Sequence, residues 1–453
     1  MEALNVYIVT FNCARELINP EAFGSHLFEA RPSIKRNTCP PPDIVVVALE
    51  ELAPIAYSFL GGSYLTPYFD RFRHAIELAA SGLGNGDSKY RNIVTRNLGM
   101  TAIMIFVRQD HVEAVTGVET AGVGVGLLEM GNKGAVGVRL SYSTGASDSE
   151  AMGLTFVAAH LAPMEPGLER RNDDWMNIVR RLVFTPTDQV ASRKIARSPS
   201  EDSEEEPLLP GITKDHEMHA PGLYSARSHL ILAGDLNYRT SKFKPGPVNY
   251  ESYPQPTQDP SDPKHYSHLL KEDQLIQELK AGRTCHGFKE APVNFPPTYK
   301  YSHKQRARAG QDGEATWDWA KHRWPSWCDR VLYLDIPSWM QDVTPSPKIT
   351  VHGYTALPVL PTSDHRPVAL SCSLPLRAIP PPNGEITDSD PRLSPPAAID
   401  PTWRERRAWA RRREIIVGIA SYLSLTWEGN GLLLGTLIGA IGGWLVIRSL
   451  LAA

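Results

Sequence analysis

Five apolar runs in this sequence end or begin in residues able to ligate a cation or move a proton. VTF leads into Asn12, VVVAL into Glu50 and Glu51, TFVAA into His160, and LILAG into Asp235 and Asn237. PVALSC is preceded by Ser363, Asp364 and His365. One polar residue at the end of a strand carries little information. Amides, carboxylates and imidazoles on five of them, gathered on one rim by a layered fold, would make a reaction centre. Carboxylate and amide oxygens suit a hard cation such as Mg²⁺, which keeps several of its waters. Two histidines can stabilise charge on a phosphoryl group while a carboxylate activates water. Together these types point to metal-assisted phosphoester hydrolysis. The sequence holds no GxSxG, cysteine-nucleophile or P-loop motif, so acyl-enzyme chemistry and nucleotide-driven transfer lack support.

The elements that must position these groups are short. NVYIVTF, DIVVVAL, MTAIMIFV, AVGVRL, LTFVAA, HLILAG, RVLYL, KITV and PVALSCSL are runs rich in β-branched residues and read as strands. Several are apolar throughout, as expected where both faces of a sheet are covered. Helical periodicity lies between some of them, around 68–80 and 168–182. The reading is α/β.

At 453 residues, with 42% hydrophobic and 21% charged side chains, the chain has the composition of an ordinary globular protein. A net charge of -3 gives the whole molecule no general attraction for nucleic acid or anionic lipid. Cys13, Cys39, Cys285, Cys328 and Cys372 are scattered and never form a CxxC pair, which fits a reducing cytosol rather than a disulfide framework or zinc site. MEALNVYIVTFN reads as a first strand, and no secretory signal is expected.

Two stretches interrupt the α/β pattern. Residues from about 185 to 225, including SRKIARSPSEDSEEEPLLPG, read as a disordered acidic insertion. Residues 375–403, rich in Pro, Asp and Ser, read as a linker. Beyond them WRERRAWARRRE, six arginines within 404–414, leads into a proposed anchor, 415–453. The run GLLLGTLIGAIGGWLVI, 431–447, is seventeen residues without a charge, at the short end of the roughly 17–25 needed to span a bilayer. Arginines favour the cytoplasmic side, and a short span suits a thin internal membrane such as the endoplasmic reticulum. The catalytic residues would then face the cytosol. The 415–427 run could also enter the bilayer. Gly431, Gly435, Gly439 and Gly443 would line one helix face, a pattern that permits homodimers.

The strings TFNCA, ALEEL, MGNKGAVGVRL, AAHLAPMEPGLERRNDDW, LAGDLNYRT, FPPTYKY, WPSWCDRVLY and SDHRPVAL occur in this order. In that order they resemble the inositol-polyphosphate 5-phosphatases of the endonuclease/exonuclease/phosphatase superfamily. The resemblance covers residues 5 to about 374 and implies a catalytic domain over 1–374. It also implies a four-layer α/β/β/α sandwich of the DNase I-like kind.

Carried over residue by residue, the resemblance gives Glu51, with Asn12 nearby, the magnesium ion. Asp235 would take the proton of the attacking water, and Asn237 would orient water or phosphate. His365, oriented by Asp329, and His160 would contact the scissile phosphate, with Asp364 completing the rim. Tyr299, Lys300, Lys321 and Arg323 match the positions that clamp a neighbouring 4-phosphate. The sequence departs from the family's pattern at Phe11, Glu50, Leu232 and Met164. Of these, Glu50 puts an extra carboxylate beside the metal position.

A membrane anchor raises the effective concentration of lipid headgroups, which favours phosphatidylinositol 4,5-bisphosphate as substrate. This arrangement resembles tail-anchored endoplasmic-reticulum members of the family. Two rivals remain. A nuclease or neutral sphingomyelinase shares the rim, although outside the arginine cluster the chain is acidic, which disfavours DNA. A catalytically inactive membrane tether would be expected to have lost a rim residue, and none is lost.

Overall fold

The computed structural model describes residues 3–31, 40–83, 89–143, 151–187, 222–309, 315–340, 346–382 and 390–452. Strands β1 (Ala3–Asn12), β2 (Ile44–Glu50), β3 (Tyr90–Leu98) and β4 (Thr101–Arg108) belong to one sheet, with β12 (Thr350–Ala356) and β13 (Val368–Pro375). Its order is β12-β13-β1-β2-β4-β3. The second sheet contains β5 (Val115–Gly124), β6 (Gly134–Tyr142), β7 (Met152–His160), β8 (Thr185–Pro186), β9 (Ser228–Asp235), β10 (Phe288–Glu290) and β11 (Asp329–Leu334). Its order is β10-β11-β9-β7-β6-β5-β8. All nine predicted runs are strands. Four strands were not expected. β3 and β5 are half-exposed and mix polar residues or glycine into the pattern, and β8 and β10 span two and three residues.

Apolar alternation assigns the layers. Val6, Ile8, Val46 and Leu370 of the first sheet meet Val138, Phe156, Ile231 and Val331 of the second in one core between the sheets. The opposite faces are covered by helices. Tyr7, Val9 and Val47 pack on Phe23 of α1 (Pro20–His26) and Phe72 of α3 (Thr66–Ser81); α2 is Ile55–Leu60. Val157 and Leu232 pack on Trp175 and Ile178 of α4 (Leu168–Arg181). The result is the expected four-layer α/β/β/α sandwich.

The margins of the predicted acidic insertion are structured: Thr185 and Pro186 pair with β5, and Leu223 and Tyr224 are buried. Its centre, 188–221, lies outside the described residues, as does Cys39. The Pro-rich stretch is a linker only in part, and 383–389 also lie outside the description. Ile379 and Arg392 are buried, and Arg392 pairs with Asp390 at 2.8 Å.

The arginine segment is not an isolated stretch of chain. It begins one long helix, the arginine helix (Trp403–Leu425), which lies on the sandwich. Arg411 Nη1 donates to Phe59 O at 2.6 Å, Gly418 abuts Phe59 and Leu60, and Tyr422 packs on Tyr57 and Tyr64. Arg406 pairs with Glu129, which also holds Arg181 at 3.0 Å. Extended Thr426 breaks the chain before the terminal helix, Trp427–Ala452. The terminal helix is long and apolar enough to cross a membrane, and it extends beyond the 431–447 run at both ends. Its four spaced glycines have nothing within 4 Å. No observation supports a homodimer through that face.

Candidate active site

Strand register sets the rim. In the parallel β1–β2 pair Asn12 faces Glu50, and in the parallel β7–β9 pair His160 faces Asp235. Asp235 also faces Asp329 across the antiparallel β9–β11 pair. The four strand ends therefore fall at one edge of the two stacked sheets. The segment before β13 adds His365, whose neighbour Ser363 donates to Asn12 O at 2.6 Å. A cleft of about 300 Å³ opens there. Asn12, Glu51, His160, Asp235, Asn237, Tyr299, Lys300, Asp364 and His365, all predicted, line it.

Two carboxylates organise the floor. Asp235 Oδ2 accepts from Asn12 Nδ2 at 2.9 Å and lies 3.2 Å from His160 Nε2, while Oδ1 accepts from the Asn237 amide at 3.1 Å. Burial opposes its charge, but His160, His365 and Lys133 outweigh that and hold it well below the usual carboxylate range. Asp329 Oδ2 accepts from His365 Nδ1 at 2.9 Å and from Thr298 Oγ1 at 2.6 Å. Burial works against a charged His365, yet Asp329, Asp235 and Asp364 push it up to about 9. His160 goes the other way, lowered by burial and by Lys133. The site thus sets an acid that favours its ionised form beside one imidazole that favours its proton and a second in which burial disfavours it.

Glu50 and Glu51 differ sharply. Glu50 is wholly buried and accepts from Thr10 Oγ1 at 3.1 Å. Burial, then Asp235 and Asp329, raise it well above the usual carboxylate value, which disfavours a charge there. Glu51 turns outward at φ 45°. Burial opposes its ionisation, but Lys133, His160 and Arg15 hold its carboxyl below the usual value. Lys133 Nζ is 3.4 Å from Glu51 Oε1, and Arg15 Nε is 3.2 Å from Oε2. Lys133 also contacts His160 Nε2. Oxygens of Glu51 and Asp235, drawn toward positive charge, and of Asn12, which accepts from the Ala14 amide at 3.0 Å, are a donor set that fits a hard divalent cation.

Lys133 and Arg239, within MGNKG and GDLNYR, also line the cleft, and no expectation from the sequence had placed them there. Their only signal is membership of those strings. Arg239 binds both the carbonyl and the side-chain oxygen of Asn237, and its guanidinium lies 4.5 Å from the Tyr299 ring centre. Asn237 Nδ2 donates to Leu161 O at 3.1 Å, so its amide is fixed at both ends. The RRNDDW stretch pins the loop after His160. Arg171 donates to the carbonyls of Ala162 and Met164, and Asp174 accepts from the Ala162 amide.

Of the four clamp residues, two line the cleft and two lie on the adjoining segment, where Ala320 N donates to Lys300 O at 2.9 Å. Tyr299 and Lys300 line the cleft, the first packed on His365 at 4.5 Å and the second paired with Asp364. Lys321 instead sits over the Tyr250 ring at 3.8 Å, and Arg323 contacts Met164 Sδ at 3.1 Å. Neither lines the cleft, whose further cations are Arg15 and Arg306.

Fold and rim together define a class, the four-layer sandwich with an Asn, Glu, Asp and His centre at its strand ends. The pattern of the Endonuclease/Exonuclease/phosphatase family 2 matches residues 9–371, and the chain belongs to that family. It is 30% identical over 306 residues to the type II inositol polyphosphate 5-phosphatase 15 of Arabidopsis thaliana, covering 65% of this chain and 25% of the relative. It is 27% identical over 340 residues to the type II inositol 1,4,5-trisphosphate 5-phosphatase of Mus musculus, covering 75% and 27%. The chain thus spans about a quarter of the length of these curated relatives. The fold is similar to the inositol polyphosphate 5-phosphatase domain of SpSynaptojanin, solved with inositol (1,4)-bisphosphate and a calcium ion. That match has a TM-score of 0.55 at 22% identity and covers 82% of this chain and 84% of that one.

Proposed function

We propose that this protein is a magnesium-dependent phosphoinositide 5-phosphatase that converts phosphatidylinositol 4,5-bisphosphate to phosphatidylinositol 4-phosphate. One observation carries the reading: Asp235 and His365, whose surroundings favour a carboxylate and an imidazolium, share a single cleft with Lys133 and Lys300. Relatives named as inositol polyphosphate 5-phosphatases support the substrate class.

Asp235, flanked by Asn12 and His160, takes the proton of a water poised in line with the phosphorus. His365, held by Asp329, and Lys133 donate to the phosphoryl oxygens as charge builds on them. Asn237 fixes the edge of the cleft through its bonded amide. Glu51 and Asn12 would hold Mg²⁺, which when bound supplies Lewis-acid polarisation of the phosphoryl group. Tyr299 and Lys300 face the neighbouring 4-phosphate, and Arg306 adds charge on that side. The terminal helix anchors the protein in an internal membrane such as the endoplasmic reticulum, with the sandwich in the cytosol.

The test is phosphate release by the full chain in detergent with Mg²⁺, from short-chain phosphatidylinositol 4,5-bisphosphate and the two single-phosphate lipids, with product identification. Formation of the 4-phosphate is expected, and Asp235→Ala should lower kcat by about 10²–10⁴-fold. Cleavage of DNA or sphingomyelin instead, with these lipids untouched, would reject the substrate class. Inactivity on all of them would favour a membrane tether.

A further inference from the structure

The arginine helix reaches the reaction centre through one buried carboxylate. Glu414 is wholly enclosed. Its Oε1 accepts from the Gly131 amide at 2.9 Å and from Arg407 Nη1 at 3.0 Å, while Oε2 lies 3.6 Å from Arg411. From Gly131 the bonds run inward. Its carbonyl accepts from the Met100 amide at 2.9 Å, and the Met100 carbonyl accepts from the Leu52 amide at 3.1 Å. Leu52 directly follows Glu51. Two residues beyond Gly131 stands Lys133, the cation shared by Glu51 and His160.

That loop is held closely. A Cβ on Gly99 would come within 2.3 Å of Gly131 O, so the β3–β4 turn is pressed against it. On the other side Lys133 O accepts from the Val125 amide at 2.9 Å. Both of these contacts lie within the sandwich. The Glu414 contact comes from the helix adjoining the terminal apolar helix, 283 residues away in sequence. A buried carboxylate spent on a backbone amide is an expensive arrangement to keep, because the amide has no water to turn to if the acceptor is lost.

We propose that Glu414 is a positioning residue: through Gly131 it fixes the loop that delivers Lys133 to Glu51 and His160, making the arginine helix part of the catalytic unit. The turnover readout rests on the phosphatase reading above, whereas the exchange readout below does not.

The test uses the full chain in detergent. E414Q keeps an acceptor oxygen at the same reach, and E414M keeps the length without one. E414M should lose about tenfold or more in kcat with KM little changed, and amide exchange across 127–134 should speed up by a similar factor. E414Q should stay within about twofold on both. In a K133M background, E414M should cost nothing further, since there is no longer a lysine to place. Equal behaviour of E414Q and E414M would overturn the proposal. So would an equal loss from E414M with and without Lys133, which would mark a simple fall in folded fraction. An E414M chain that does not fold would make Glu414 architectural and overturn it too. If wild type hydrolyses none of the lipids, the phosphatase reading fails, and the exchange comparison still decides whether Glu414 holds the loop.

Discussion

His365 is the residue whose charge most constrains the chemistry. Burial favours its neutral form, but Asp329, Asp235 and Asp364 together carry its pKa up to about 9. A raised pKa means the charged pair contributes fully to stability below the unfolded value of about 6.5 and loses that contribution as pH rises through about 9. Phosphate release should therefore fall on the alkaline side with a midpoint near 9. D329N should bring that midpoint down toward neutrality, and an unmoved midpoint in a pH–rate profile would remove Asp329 from this role. The two adjacent glutamates invite a paired test. E50Q should leave activity within about threefold, because burial and the neighbouring carboxylates already disfavour a charge on Glu50. E51Q should weaken the apparent affinity for Mg²⁺, read by metal titration of the rate. Equal effects would contradict the outward and inward assignment. K133M should reduce kcat by about 10²-fold, the cost of losing one donor to developing charge.

At the level of elements, the reaction rim was legible because it sits where apolar runs stop. Asn12, His160 and Asp235 end strands whose β-branched pattern is unmistakable, and parallel pairing then brings their ends to one edge. What was not legible has physical causes. β3 and β5 lie toward the sheet margins, where half-exposed positions take Arg, Asn, Glu and Gly and break the apolar signal. The spacing of Lys321 and Arg323 before WCDR indicated nearness in the chain but not side-chain direction, and both turn to other partners. The docking of the arginine helix was hidden because arginine at a membrane flank and arginine on a protein surface look alike in sequence. The β7–β9 junction offers a stability test. A Cβ on Gly234 would meet Ala159 O at 1.9 Å, one residue before Asp235. G234A should cost about 1–3 kcal/mol or more in denaturant unfolding, and an unshifted midpoint would mean the strands can part there.

Over the whole molecule, the sandwich and the terminal helix are joined by very little chain. Thr426 is the one extended residue between the two last helices, and a Cβ on Gly429 would meet Tyr422 O at 2.1 Å, so the turn is tight. Deleting 427–453 should release the protein from membranes into the supernatant while leaving Glu414 and the arginine helix in place. Continued sedimentation with membranes would reject the anchor. The docked helix also limits reach. An enzyme on a long flexible leash can stretch across a gap and work on a facing membrane, whereas a sandwich joined this tightly to an anchoring helix could not. With the terminal helix as the proposed anchor, its substrates would arrive by lateral drift through the leaflet that holds it. Mixed with anchored enzyme in one vesicle population and lipid substrate in another, it should be nearly silent; with both in the same vesicles, active.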